Sequence, residues 1–181
     1  MKAKVILVSL FLPFVFVSCK NEAKKEEVLS VEEVKANTFD VVVDLVIQKD
    51  DELILFYKDA SISYFDDQHT VYAGVKGSQT AQKVIFSIPE GVTPNDFRLD
   101  ISSNKTQAPI IINSVEINFE GRTFYIDRMN FDKYFKANDF IKYDSATSTA
   151  TMAIKDGQYD PFFNTNEIIY KELEKVLAKR L

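Results

Sequence analysis

The residues of this chain whose types and spacing could do chemistry are few. Asp50-Asp51 and Asp66-Asp67 are paired carboxylates, the arrangement that offers oxygen ligands to Ca²⁺ or, at the right separation, an acid and a base for hydrolysis. His69 is the single histidine, and no serine in a Gly-x-Ser-x-Gly elbow accompanies it, which argues against a Ser-His-Asp triad. Gly74 and Gly77 are not followed by the rest of a phosphate-cradling loop. Cys19 is the only thiol, so chemistry that needs clustered Cys or His has almost nothing to work with.

The segments carrying these residues weaken the catalytic and metal readings further. The acidic pairs follow no EF-hand pattern and sit in polar, turn-like stretches, where a carboxylate most simply solvates the turn. The string Gln48-Lys49-Asp50-Asp51-Glu52 lies between two strand patterns and reads as a hairpin turn. No acid is marked as buried by its neighbours. No catalytic residue, metal or cofactor is therefore expected, and binding is the expected mode of action.

Composition narrows the partners. At 181 residues, with 46% hydrophobic residues, the chain can build one domain with a proper core. Its net charge of −5 makes nucleic acid an unsuitable partner, because duplex binding rests on basic surface. There is no Trp; 15 Phe and 8 Tyr carry the aromatic content.

The apolar run Val5 to Val17 follows Lys2 and Lys4. It is too short for a hydrocarbon core of about 30 Å and has the length of a secretory signal core. Phe16-Val17-Ser18-Cys19 resembles the lipobox of bacterial lipoprotein precursors, although Phe16 stands where Leu is usual. The resemblance implies cleavage after residue 18 and lipidation of Cys19, whose thiol takes a diacylglyceryl group. Acyl chains contribute about 0.8 kcal/mol per buried methylene, so two or three chains anchor stably. The membrane is thus an expected partner, with the protein exported and held at the outer membrane. Cys19 is then unavailable for a disulfide, and the fold must rely on its core.

Residues 19–36 read as a charged tether with too little apolar surface to offset the entropy of ordering. Lys20-Asn21-Glu22 and Lys24-Lys25-Glu26-Glu27 are similar to signals that send Bacteroidota lipoproteins to the cell surface; a solvated spacer explains them equally.

From Phe39 the pattern has period two: Phe39, Val41, Val43, Leu45 and Ile47 share one face. Similar strands are expected at 53–57, 71–76, 83–88, 97–102, 110–113, 115–119, 123–126 and 150–154. Short strands at this spacing, without intervening long helices, indicate a mainly β protein: an antiparallel sandwich, jelly-roll-like, over 37–165. A helix is expected over 166–181, capped by Asn166, with Ile169, Leu173, Val176 and Leu177 on its apolar side. The aromatic run from Phe124 to Tyr143 reads as an extension that closes one end of the sandwich, or alternatively as a protein-binding edge.

The series Leu55-Phe56-Tyr57, Phe65, Val75-Lys76-Gly77-Ser78, Phe86-Ser87-Ile88-Pro89, Pro94, Phe97-Arg98-Leu99-Asp100 and Asn104-Lys105 resembles β-sandwich domains of carbohydrate-binding type, found beside membrane glycosyltransferases and in small Bacteroidota lipoproteins. The resemblance implies a sugar-binding face, with Tyr57, Tyr64, Tyr72 and Arg98 as candidate contacts. Arg98 and Asp100 alternate outward from Phe97, Leu99 and Ile101 and are also positioned to pair with each other. An envelope protein is the alternative partner to a glycan.

Overall fold

The computed structural model describes residues 38–178. Cys19, the signal segment and the tether all lie outside the described residues. In chain order the elements are β1 (Phe39–Val46), β2 (Asp51–Lys58), β3 (Thr70–Val75), β4 (Gln82–Ile88), β5 (Asp96–Asp100), β6 (Ile110–Phe119), β7 (Arg122–Asp127), α1 (Phe131–Tyr134), β8 (Phe135–Ala137), β9 (Ile141–Asp144), β10 (Thr149–Met152), β11 (Phe162–Thr165) and α2 (Glu167–Leu177).

The strands form two antiparallel sheets, as expected for a sandwich with a C-terminal helix. One has the order β4-β1-β6-β10-β9, with β7 also paired to β6; the other has the order β3-β2-β5-β11-β8. The long β6 serves both neighbours, pairing its first residues with β10 and Ser114 to Phe119 with β7. Between β6 and β7 the chain reverses through Glu120 and Gly121, both at positive φ, the geometry that matches the twist of a hairpin.

The period-two pattern of β1 becomes burial directly. Phe39, Val41, Val43 and Leu45 are buried against Leu53, Leu55, Phe97, Leu99 and Phe163 of the other sheet's strands. The Phe39 and Phe97 rings meet with centroids 5.9 Å apart, one from each sheet. Asn166 caps α2, its side chain accepting from Ile168 N, and Ile169, Leu173 and Val176 turn into the core.

Three sequence expectations are corrected. Residues 48–52 do not form a hairpin turn: β1 pairs with β4 and β6, whereas β2 pairs with β3 and β5, so this segment crosses between sheets. Turn chemistry is the same for both connections, and only the pairing partners distinguish them. Residues 110–119 form one strand and not two. The register against β1 shifts so that Asp44 faces Ser114 and Leu45 faces Ile112, leaving Asn113 as the extra residue of a bulge, with its Nδ2 donating to Asp44 Oδ1 at 2.8 Å. That bulge breaks the apolar alternation and imitates a strand boundary. Finally, the 131–165 stretch holds α1, β8, β9 and β11 besides β10, all too short to show a period.

The aromatic run closes one end of the sandwich. Phe131 stacks on Phe135 at 4.7 Å and meets Phe163 edge-on at 5.0 Å, while Phe124 meets Tyr134 at 5.2 Å. Phe131, Tyr134 and Phe135 are buried, so these rings supply core and not a free edge.

Candidate ligand-binding face

The outward side of the β3-β2-β5-β11-β8 sheet gathers the aromatic and charged residues of interest. Strand alternation sends Leu53, Leu55, Tyr57, Phe97 and Leu99 inward, leaving Ile54, Phe56, Arg98 and Asp100 on the outer side. One cross-strand row runs Tyr72, Ile54, Asp100, Phe162, and the next runs Thr70, Phe56, Arg98, Asn164, Lys136.

Arg98 is the centre of this face. Its Nε donates to Asp100 Oδ1 at 2.7 Å and its Nη2 to Asp100 Oδ2 at 2.8 Å, the parallel two-point geometry that suits a guanidinium and a carboxylate. Nη2 also donates to Asp160 Oδ1 at 2.9 Å. The guanidinium carbon lies 3.8 Å from the Phe162 ring centroid and 4.9 Å from that of Phe56. Nη1 donates to no side chain or backbone group among the described residues.

Asp100 keeps only 15% of its side-chain surface exposed. Burial pushes its carboxyl up to about 6; the Arg98 contacts oppose this, and the charge of Asp160 adds to it. Asp160, by contrast, is half exposed at 53%. The stack continues sideways, with Phe65 edge-on to Phe56 at 6.5 Å and Lys58 Nζ 4.5 Å from the Phe65 centroid. Lys58 is itself paired with Asp96 at 2.8 Å.

The four side chains singled out from sequence divide. Tyr72 is on this face and 54% exposed, and Arg98 is at its middle. Tyr64 is 68% exposed but belongs to the loop between β2 and β3. Tyr57 points into the core and is only 4% exposed. In Leu53-Ile54-Leu55-Phe56-Tyr57 both parities are apolar, so the pattern alone could not say which side faces inward. Phe56, Asp160 and Phe162 were missed: the first for that reason, the other two because a four-residue strand carries almost no period. The doublet Phe162-Phe163 after Pro161 was the available signal, one ring outward and one inward.

The acidic pairs are consumed by structure. The Asp51 carboxylate accepts from Ser102 Oγ at 2.6 Å, Ser103 N at 2.8 Å, Asn104 N at 3.0 Å and Gln107 Nε2 at 2.9 Å, which pins the β5–β6 loop. Burial pushes its carboxyl up, but hydrogen bonds from Ser102 and Gln107 and from the Glu52 and Ser103 amides together outweigh this and hold it below the usual range. Oxygens so occupied by donors are poor metal ligands. Asp50 pairs with Lys76 at 2.6 Å and accepts from Gly77 N. Asp66 Oδ1 takes His69 Nδ1 at 2.7 Å and the Gln68 amide, closing the loop that carries Tyr64 and Phe65. Among the described residues no group of three or more His, Cys, Asp or Glu side chains is arranged to hold a metal ion.

The face offers ring surfaces, one tethered guanidinium and carboxylate acceptors. These are groups for stacking on and hydrogen-bonding to a ligand. Compared with known protein families, with curated proteins and with solved structures, the chain shows no match in any of the three.

Proposed function

We propose that this is an envelope protein, exported and lipid-anchored through Cys19 at the outer membrane, which binds a glycan on the outer side of its β3-β2-β5-β11-β8 sheet and performs no catalysis. The observation that carries the binding reading is the convergence, on one sheet face, of the exposed Tyr72 ring with an Arg98 guanidinium sandwiched between Phe56 and Phe162. Sugars present apolar C–H faces that pack on aromatic rings and hydroxyls that pair with guanidinium and carboxylate groups. Support for the anchor is the placement of the lone cysteine at the end of a signal-length apolar run.

A glycan array probed with the full chain in detergent tests the binding reading. The expected result is a saccharide retained by the wild type and lost or weakened in Tyr72→Ala; an array with no retained saccharide defeats it. For the anchor, Cys19→Ser is expected to lose the mass of the lipid and to leave the membrane fraction. Retention at unchanged mass refutes lipidation.

The alternative, an accessory subunit of an envelope complex, draws on Ile168 and Tyr170, which α2 leaves exposed. It has less support, because Phe131, Tyr134 and Phe135 of the aromatic run are buried in the core, which leaves Tyr125 as its exposed ring. Recovery of a stoichiometric envelope protein with the full chain would favour it.

A further inference from the structure

We infer that the ligand of the outer sheet face is a neutral oligosaccharide, held at one end by Arg98 and Asp160 and stacked at the other on Tyr72. The inference rests on the glycan reading above and specifies charge and length.

Charge is decided by what the cations of the face already touch. Arg98 is matched to two carboxylates, Asp100 through both of its oxygens and Asp160 through one. Lys58 is paired with Asp96, and Lys136 Nζ donates to Asp132 O at 2.9 Å. Glu52, on the same face next to Gly74, adds a further acid. Among the described residues of this face, Arg98 and Lys58 are thus matched to carboxylates, Lys136 meets only a neutral carbonyl, and the carboxylates are at least as numerous as the cations. A uronate or other acidic sugar could reach Arg98 only at Nη1, beside the Asp100 and Asp160 carboxylates that the guanidinium already matches, and would meet their charge and that of Glu52. Hydroxyls have no such conflict. They can accept from Arg98 Nη1, which has no partner among the described residues, and donate to the half-exposed Asp160.

Length is decided by spacing. Tyr72 and Phe162 stand at opposite ends of one cross-strand row, on β3 and β11 with β2 and β5 between them. Strands about 4.8 Å apart place their backbones roughly 14 Å from each other. Arg98, on β5, is two strand spacings from β3, about 10 Å, and Asp160 just before β11 is farther; one sugar ring stacked on Tyr72 does not span to the pair, whereas a short chain of sugars can. Between Tyr72 and Phe162 the row is floored by Ile54 and Asp100, with Arg98 in the adjacent row.

The test is calorimetric titration of the full chain in detergent with glucose, cellohexaose, mannohexaose and chitohexaose as neutral probes, and hexagalacturonate as the acidic one. Expected is a neutral hexaose that binds at least about tenfold more tightly than glucose and hexagalacturonate. Tyr72→Ala and Asp160→Asn should each weaken it by about fivefold or more, with the circular dichroism spectrum unchanged. Tighter binding of hexagalacturonate, equal binding of glucose, or binding indifferent to both substitutions overturns the inference while leaving the glycan reading standing. Silence of every saccharide here and on the array overturns both.

Discussion

The Arg98 guanidinium lies 3.8 Å from the centroid of the Phe162 ring, while the same side chain is clamped to Asp100 by two parallel hydrogen bonds of 2.7 and 2.8 Å. Stacking fixes the plane of the guanidinium and the carboxylate fixes its rotation. The side chain that the proposed ligand would meet is held in place before binding, which lowers the entropy lost on association.

Removing Arg98 should cost more than removing the pair. Arg98→Ala leaves the Asp100 carboxylate largely buried and unmatched and is expected to destabilise the fold by about 2–4 kcal/mol in urea denaturation. Arg98→Lys should recover only part of this, because an ammonium cannot reproduce the two-point geometry. The Arg98→Ala/Asp100→Asn double variant should be more stable than Arg98→Ala alone; a double variant that loses the sum of the two single effects would show that the groups are not coupled.

The raised Asp100 carboxyl gives a pH dependence of defined sign. Between the ordinary carboxylate value and about 6 the folded protein holds a proton at Asp100 that the unfolded chain has released. Its contribution to stability is therefore full below the ordinary value and falls as pH rises toward about 6, then stays level. Asp51, Asp59, Asp66 and Asp144, whose carboxyls are lowered, contribute in the opposite sense, with stability lost as pH drops. The clean readout is a difference: wild type minus Asp100→Asn, followed by urea midpoint from pH 4 to 7, should decline with rising pH.

Asp51 should behave as a structural anchor. Asp51→Ala strands the donors of the Ser102 to Gln107 loop and is expected to lower stability by about 2–3 kcal/mol, with faster amide exchange at Ser103 and Asn104. Millimolar Ca²⁺ is expected to leave the melting temperature of the wild type unchanged. A Ca²⁺-dependent rise abolished by Asp51→Ala would instead make this carboxylate a ligand.

Gly77 reports on the crossing between sheets. A Cβ there would lie 2.5 Å from Gln48 O and 2.7 Å from Lys49 Cα, both backbone atoms, so neither can swing aside. Gly77→Ala should destabilise by about 1–3 kcal/mol in thermal or urea unfolding, although the site is exposed. Alanine at Gly74, where nothing lies within 4 Å, is the matched control and should be far milder.

Much of the fold was legible because it depends on local pattern. Alternation in Phe39 to Ile47 and in Phe97 to Ile101 predicts strands and their inward sides, and the buried residues match it. The capping asparagine and the spacing of Ile169, Leu173 and Val176 predict α2. The bulge at Asn113 and the crossing at residues 48–52 were not legible, since each depends on which strand lies alongside. Of the residues singled out as contacts, the structure places Tyr72 and Arg98 on the outer side of the sheet, Tyr64 in a loop and Tyr57 in the core, while Phe56, Asp160 and Phe162, which neighbour Arg98, were not singled out.

By itself, the sequence determined the composition limits, the strand periods, the capped helix and the position of the lone cysteine behind a signal-length apolar run. All of these rest on interactions between near neighbours in the chain or on the polarity of a single segment. Only the tertiary structure decided that Arg98 meets Asp160, 62 positions away, and that Phe56 and Phe162 sandwich it. Those contacts follow from strand order and register, with β5 seated between β2 and β11. Order and register are set by how the whole set of apolar faces is buried at once, a global condition that no single segment encodes.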